Sequence, residues 1–314
     1  MKQHYLPQFY LRYFTAPNKP SQYAPYVWTF QSGEWKKKSP DNIAYGADFY
    51  AFEDEHGDID HRFEDSLQKL ESLIAPALKR VSETIPVTLN DSDRMYLAWF
   101  LVSLEQRTPD YLNARAMEME LAIRENYRHQ YQSFVRDPQK FDQFKESNGF
   151  GNFSLADVTP ENFEKWDVKP VKAYLLSEAV KQWELLANLI FSMRWTILFS
   201  HTPVFVTSES PVVTMVPHAD GDGWTYGDLG HPNVDISLPL TPKLALMCHW
   251  RGDENYRLVE ATENDIRTLN LRTINSAADA LTENSAPLEI IAASPTFPFS
   301  DIVEAVTIAR TKKQ

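Results

Sequence analysis

The 314-residue sequence has a single cysteine, Cys248, and only 10 glycines. One thiol excludes an internal disulfide framework and a cysteine-rich zinc site, and makes a reducing, cytoplasmic compartment the expected location. So few glycines exclude a collagen-like or low-complexity chain. Basic residues are in deficit, 31 against 43 acidic, for a net charge of -12. That balance disfavours non-specific binding to nucleic acid, although a local basic patch is compatible with it. No long hydrophobic run occurs. The most apolar stretch, residues 185–199, contains Arg194 and is too short for a membrane span, so it reads as a buried core helix. Residues 1–7 show neither a basic segment followed by an apolar run nor a small-residue cleavage site, so no export signal is expected. Walker, Rossmann, nucleophile-elbow and zinc-protease motifs are missing, as are internal repeats.

What is present is a composition for a packed globule: 43% hydrophobic and 13% aromatic residues. The pattern predicts an α+β fold in one domain, 1–314. A helix-rich central part would pack on a mixed, largely antiparallel sheet built from an N-terminal hairpin and the C-terminal third. The divisions are 1–52 for the N-terminal motif and hairpin, 53–200 for the helical part and 201–314 for the sheet-rich part.

The chain is best organised around residues 205–213, Phe-Val-Thr-Ser-Glu-Ser-Pro-Val-Val. Phe205 and Val206 read as the end of a buried strand, Ser208-Glu209-Ser210 as a polar break, and Pro211 onward as a second strand. Glu209 would then surface where a core strand ends, the kind of rigid place from which catalytic groups are presented.

The first eleven residues after Gln3 are dense in chemistry: His4, Tyr5, Gln8, Tyr10 and Arg12 sit among packed aromatics. Leu11 and Phe14 fall at helical spacing after Pro7, so a short helix with an inward face is expected, with His4 just before it. His4 bonding only to backbone is the plainer reading of that residue. Residues 26–36 read as a hairpin. Residues 53–60 are acidic but lack calcium-loop spacing and read as a solvated loop. Ile59, Phe63, Leu67, Leu70, Ile74 and Leu78 form one stripe of an amphipathic helix that Pro76 should kink. Glu64 and Glu71 share a face there; with no Glu-x-x-His elsewhere they read as a charged flank.

Asn90 caps a helix, apolar nearly all round, that should stop near Arg107 because Pro109 follows. Its last turn carries Glu105, Gln106 and Arg107 out of the core. Arg107 at a helix C-terminus is stabilising by about 0.3–1 kcal/mol in its own right, and it could instead hold an anion or pair with Glu209. Residues 110–135 read as a surface helix with Met117, Leu121 and Tyr127 inward, residues 139–157 as a short helix and loop, and Thr159-Pro160 as a helix start. Residues 170–200 read as the longest apolar helix, through Trp183, Ile190, Trp195 and Leu198. Strand candidates follow at 236–242 and 244–250, the latter burying Cys248. A loop at 217–223, a helix at 263–284, a strand at 288–292 and a solvated tail at 310–314 complete the chain.

Four segments together, residues 4–12 (HYLPQFYLR), 106–109 (QRTP), 205–212 (FVTSESPV) and 238–242 (PLTP within LPLTP), resemble a bacterial family catalogued as domain of unknown function 4238. The likeness covers most of the chain in order. It implies no established activity, an acidic residue at the position of Glu209 that is more often Asp, and a place in bacterial conflict or antiviral defence gene sets.

A carboxylate beside a histidine and an arginine can orient water and stabilise positive charge, while aromatics stack on a planar substrate. The expectation is therefore a hydrolase acting on nucleic acid or a nucleotide, cleaving a glycosidic bond as in DNA glycosylase-like base removal. Glu209 would be the catalytic carboxylate, His4 an acid, base or orienting group, and Arg107 an anion clamp. Tyr5, Gln8, Tyr10, Arg12, Gln106, Ser208 and Trp195 would contact substrate, with no metal or other cofactor. A metal-dependent phosphodiesterase using Glu209, His4 and one of His201, His218 or His231 is one alternative. A non-catalytic sensor or interaction protein is the other.

Overall fold

Pro7 separates the first strand, β1 (Lys2–His4), from a short helix, α1 (Gln8–Leu11), which tightens into a 3-10 turn over Arg12–Phe14. Tyr10, Leu11 and Phe14 are buried, as the helical spacing predicts. The computed structural model describes residues 1–16, 25–31, 33–53, 58–83, 89–148, 151–218, 224–279 and 289–297. The expected tail at 310–314 and parts of the loops at 53–60 and 217–223 lie outside the described residues, as do the end of the helix at 263–284 and the start of the strand at 288–292.

The hairpin forms from β2 (Val27–Gln31) and β3 (Glu34–Lys38), and Gly33 in its turn has φ 87°, the left-handed region that glycine enters without strain. A 3-10 turn, Pro40–Asn42, leads to β4 (Tyr45–Ala47), which pairs antiparallel with β1 and sets His4 opposite Tyr45. Between them Ala44 has φ 52°, a costly conformation for a residue with a Cβ, while its carbonyl accepts from Tyr5 N at 2.8 Å. Two short strands, β5 (Phe52–Glu53) and β6 (Ile59–Asp60), pair with each other.

Helix α2 (Arg62–Glu83) begins after Asp60, whose carboxylate accepts from Arg62 N at 2.8 Å, and it runs on through Pro76. Ile59 lies outside it and is exposed, so the apolar stripe starts later than its spacing implied. Helix α3 (Asp91–Gln106) is capped by Asn90, which accepts from Asp93 N at 2.8 Å, and it stops at Arg107 as Pro109 dictates.

Contacts divide the chain into two compact units, residues 1–110 with 179–314, and residues 111–178. The second unit is helical. It draws on α4 (Pro109–Arg136), α5 (Pro138–Asn148) and α6 (Pro160–Phe163), and its core gathers Tyr127, Phe134, Phe141 and Val158. Thr159 caps α6, accepting from Asn162 N at 3.3 Å. Met117 and Leu121, expected to face inward, are 59% and 66% exposed. At about 100° per residue, Leu121 sits roughly 120° round the helix from Tyr127, so the two cannot share a buried stripe.

The helix expected over residues 170–200 is two elements: α7 (Lys172–Ser192) and a strand, β7 (Arg194–Phe199). The buried helix read at 185–199 is overturned with it. Strand pairing on both sides outweighs the helical period, since β7 is antiparallel to β12 (Leu244–His249) and parallel to β13 (Tyr256–Glu260). The remaining elements are β8 (Thr207–Ser208), β9 (Val213–Pro217), β10 (Trp224–Tyr226), β11 (Asp235–Thr241), α8 (Glu263–Asp279) and β14 (Ile290–Ala292).

The fold is α+β, and its strands form two main sheets where one was expected. One has the order β10-β9-β11-β12-β7-β13; the other, β3-β2-β14-β8, joins the hairpin to strands from the far end of the chain. Helix α8 serves both: Ile266 and Leu269 pack with Leu198 and Ala245, while Ile274 packs with Ile290 and Ala292. Residues 205–206 are buried, as expected, but are not a strand. Asn270 of α8 takes the place of a ladder, donating to Val204 O at 2.8 Å and accepting from Val206 N at 3.1 Å. Among the described residues no helix is long and apolar enough to cross a membrane.

Candidate functional site

Strand β8 ends at Ser208, and the next residue closes its ladder with β14 in an unusual way. Glu209 N donates to Glu289 O at 3.3 Å, and Glu209 Oε2 accepts from Glu289 N at 3.1 Å. The side chain thus stands in for a backbone acceptor at the mouth of the sheet. Its other oxygen, Oε1, accepts from the Tyr5 hydroxyl at 2.7 Å. Burial raises the Glu209 pKa above the ordinary carboxylate value, the Tyr5 and Glu289 hydrogen bonds oppose that rise, and the charge of Glu289 adds to it. Burial, and then the charge of Glu209, push the Tyr5 phenol well up. Glu289 forms an ion pair with Lys38 of β3.

Tyr5 also ties this dyad to the end of α3. Arg107 Nε donates to Tyr5 O at 2.7 Å and its Nη1 donates to Glu71 Oε1 at 2.7 Å. Arg107 is 1% exposed, and its Nη2 has no hydrogen-bond partner among the described residues. Arg107 therefore pairs with Glu71 of α2, where a pairing with Glu209 was one expectation. Glu71 is for the same reason no solvated flank. Glu64, one turn pair earlier on that face, is half-buried with its pKa raised, first by burial. Tyr50 donates from its hydroxyl to Arg107 O at 3.0 Å and sits over Phe63.

His4 lies next to Tyr5 in the chain but points elsewhere. Its Nε2 is 3.3 Å from Asp41 O and 3.4 Å from Gln8 Nε2. A proton on Nε2 serves the carbonyl; accepting from Gln8 needs the other tautomer. Burial lowers the His4 pKa, and Glu71 is among the charges it feels. Tyr10 donates to Pro239 O at 2.6 Å and pairs with the Thr207 hydroxyl at 2.7 Å, which fixes α1 against β8 and β11. Ser208 is fully buried, and its hydroxyl accepts from Ser210 N at 3.3 Å. Gln106 is buried with its Oε1 unpartnered among the described residues.

Of the residues expected to meet, the structure brings Tyr5 to Glu209 and Arg107 to Tyr5, and places His4 with Gln8. Arg12 and Trp195 are elsewhere. Arg12 lines an open hollow with Phe9, Tyr13, Ser72, Pro76 and Lys79. Trp195, on β7, donates from Nε1 to Ile190 O at 2.9 Å and has the Arg94 guanidinium over its ring. His201 lies 3.5 Å from Glu260, and His231 Nδ1 accepts from Asn233 N at 3.2 Å, so neither stands with Glu209. Among the described residues no group of three or more His, Cys, Asp or Glu side chains is placed to hold a metal ion. Glu289, Lys38 and Tyr50 were not singled out from sequence, and Glu71 was read only as part of a charged flank. Only strand register and helix packing bring them here, and neither leaves a mark in local residue spacing.

The four sequence segments are wired to one another. Arg107 holds Tyr5, Tyr10 holds Thr207 and Pro239, and Pro242 O accepts from both Val204 N at 2.7 Å and Phe205 N at 3.0 Å. A family model described as a protein of unknown function, DUF4238, matches residues 2–287, which include all four. The chain belongs to the DUF4238 family. No curated protein and no solved structure matches it. In DUF4238 terms, the meeting of these segments in one place is what this chain contributes.

Proposed function

We propose that this DUF4238 protein is a hydrolase whose reacting group is Glu209, acting on a glycosidic bond of a nucleic acid or nucleotide. The observation that carries the reading is the pair of carboxylates, Glu209 and Glu289, at the ends of adjacent strands, one held by Tyr5 and the other by Lys38. Two carboxylates in unlike surroundings divide acid and base work between them. With its pKa raised by burial, Glu209 suits the general acid, giving its proton to the departing base or sugar oxygen. The Glu289 carboxylate then offsets positive charge on the sugar until water adds to it, the water giving up a proton to the Glu209 carboxylate and restoring the acid. Arg107, buried and bonded to Tyr5 and Glu71, acts by positioning Tyr5. In the antiviral setting that the family resemblance implies, the substrate is invading nucleic acid.

The test is incubation of the purified chain with DNA, RNA and free nucleosides, followed by chromatography for released base and by cleavage of abasic sites. Base release by wild type and its loss in Glu209→Gln, with an unfolding midpoint no lower than that of wild type, is the expected result. No release from any substrate removes the proposal.

A second reading is favoured by the way the four segments bind each other: the polar groups lock the N-terminal strand and helix onto the core of a sensor or interaction protein. On that reading Glu209→Gln lowers the unfolding midpoint and no cleavage occurs.

A further inference from the structure

The six-stranded sheet carries a second cluster of chemistry on residues that the Glu209 site does not use. Leu198, Ala245 and Val259 share one face, where strand register aligns them, and the start of α8 packs on that end through Ile266 and Leu269. Along the same face the residues become polar: Thr196 and Arg194 on β7, His249 on β12 and Arg257 on β13. An open cavity of about 650 Å³ lies over this end, lined also by Met247 and Arg251. Here the sheet face is open: Arg257 is exposed and Arg194 and His249 are half-buried, so their polar groups stand within reach of a ligand in the cavity.

Their hydrogen bonds leave donors to spare. Arg257 Nε donates to Thr196 Oγ1 at 3.0 Å, so the Thr196 proton turns to His249 Nε2 at 3.3 Å. The two Nη groups of Arg257 have no partner among the described residues. Arg194 spends Nε on Gly252 O at 3.2 Å and Nη1 on Asn255 Oδ1 at 2.6 Å, which leaves Nη2. Arg194 and Arg257 are diagonal neighbours on adjacent strands, about 7 Å apart at the backbone, a span that one tetrahedral anion can bridge. Of the carboxylates at the rim, Asp265 is engaged by Thr262 N at 2.9 Å and its hydroxyl at 2.6 Å, and Asp253 and Glu254 lie on the exposed turn after Gly252. Arg251 is held by Asp235 and is not available.

We propose that this cavity binds a phosphate-bearing small molecule, with the phosphate between Arg194 and Arg257 and an apolar part over Met247 and Val259. The size is that of an ordinary ligand site. The site stands independently of the Glu209 chemistry.

The experiment is calorimetric titration of the full chain with inorganic phosphate, phenyl phosphate and benzoate. Phenyl phosphate should bind saturably and at least tenfold more tightly than inorganic phosphate. Arg257→Gln and Arg194→Gln should each weaken it at least tenfold while leaving the unfolding midpoint of the unliganded protein in place; Glu209→Gln should bind as wild type does. Absence of saturable binding by phenyl phosphate overturns the proposal. So does benzoate binding as tightly, or binding that survives both arginine substitutions.

Discussion

Tyr5 donates its phenolic proton to Glu209 Oε1 at 2.7 Å, although 204 residues separate them in the chain. That bond opposes the rise that burial imposes on the Glu209 pKa. Tyr5→Phe should raise that pKa further, seen as an upward shift of the Glu209 carboxyl titration by NMR, and should cost about 1–2 kcal/mol in urea unfolding. An unmoved titration would show that the contact is not made in solution.

Arg107 and Glu71 form a pair in which the cation is buried and the carboxylate is 26% exposed. Arg107→Ala leaves Glu71 and the Tyr5 carbonyl without their donor and should destabilise by about 3–5 kcal/mol. Glu71→Gln, which keeps an acceptor, should cost less. A double-mutant cycle in which the two effects simply add would refute the coupling.

Asn270 is fully buried and serves Val204 O and Val206 N together. Asn270→Leu leaves both backbone groups unpaired in the core, for a loss of about 2–4 kcal/mol. Chemical denaturation decides it, and a loss under 1 kcal/mol would mean that water replaces the amide.

Burial raises the Glu105 pKa above its unfolded value, with the Thr214 hydroxyl at 3.3 Å opposing the shift. The folded state thus holds that proton more tightly, and the stability it contributes is lost as pH rises from about 4.5 through the folded pKa. Glu105→Gln cannot titrate, so it should gain on wild type between pH 5 and pH 8. Glu64, Asp110 and Glu209 share this sign. His4 and His249, both lowered by burial, act the opposite way, losing stability as pH falls below 6.5. Parallel pH profiles for variant and wild type would sink the assignment to Glu105.

Ala44 carries φ 52° and is buried. Ala44→Gly relieves the strain at some entropic cost and should be neutral or stabilising by up to about 1 kcal/mol, whereas Ala44→Val should destabilise. Thermal unfolding of the two variants in the opposite order would contradict the backbone geometry.

Much of the fold was legible where a local cause acts alone. Asn90 and Thr159-Pro160 announce helix starts by their capping chemistry, Pro109 announces a stop, and Gly33 marks a turn. Reading failed where a distant partner decides. Residues 194–199 carry an apolar run that suits a helix, and only β12 and β13 make them a strand. Residues 205–206 look like a strand, and only the amide of Asn270 lets them be something else. In the site, Glu209 was visible as a carboxylate at a strand end and Tyr5 as one aromatic in a dense segment. Their hydrogen bond was not, nor were the roles of Glu289 and Lys38, because cross-strand register has no local signature.

The order β3-β2-β14-β8 sets residues 27–38 beside 290–292, with 207–208 at the far edge. Only the β2–β3 hairpin closes locally: the sheet's central pairing must wait until segments some 260 residues apart have found each other, which is slow and entropically expensive. The consequence is kinetic. The Tyr5–Glu209 contact, which spans 204 residues, is a late encounter of the same kind, so refolding should regain bulk helix well before it regains that contact, and any activity should return on the slower clock.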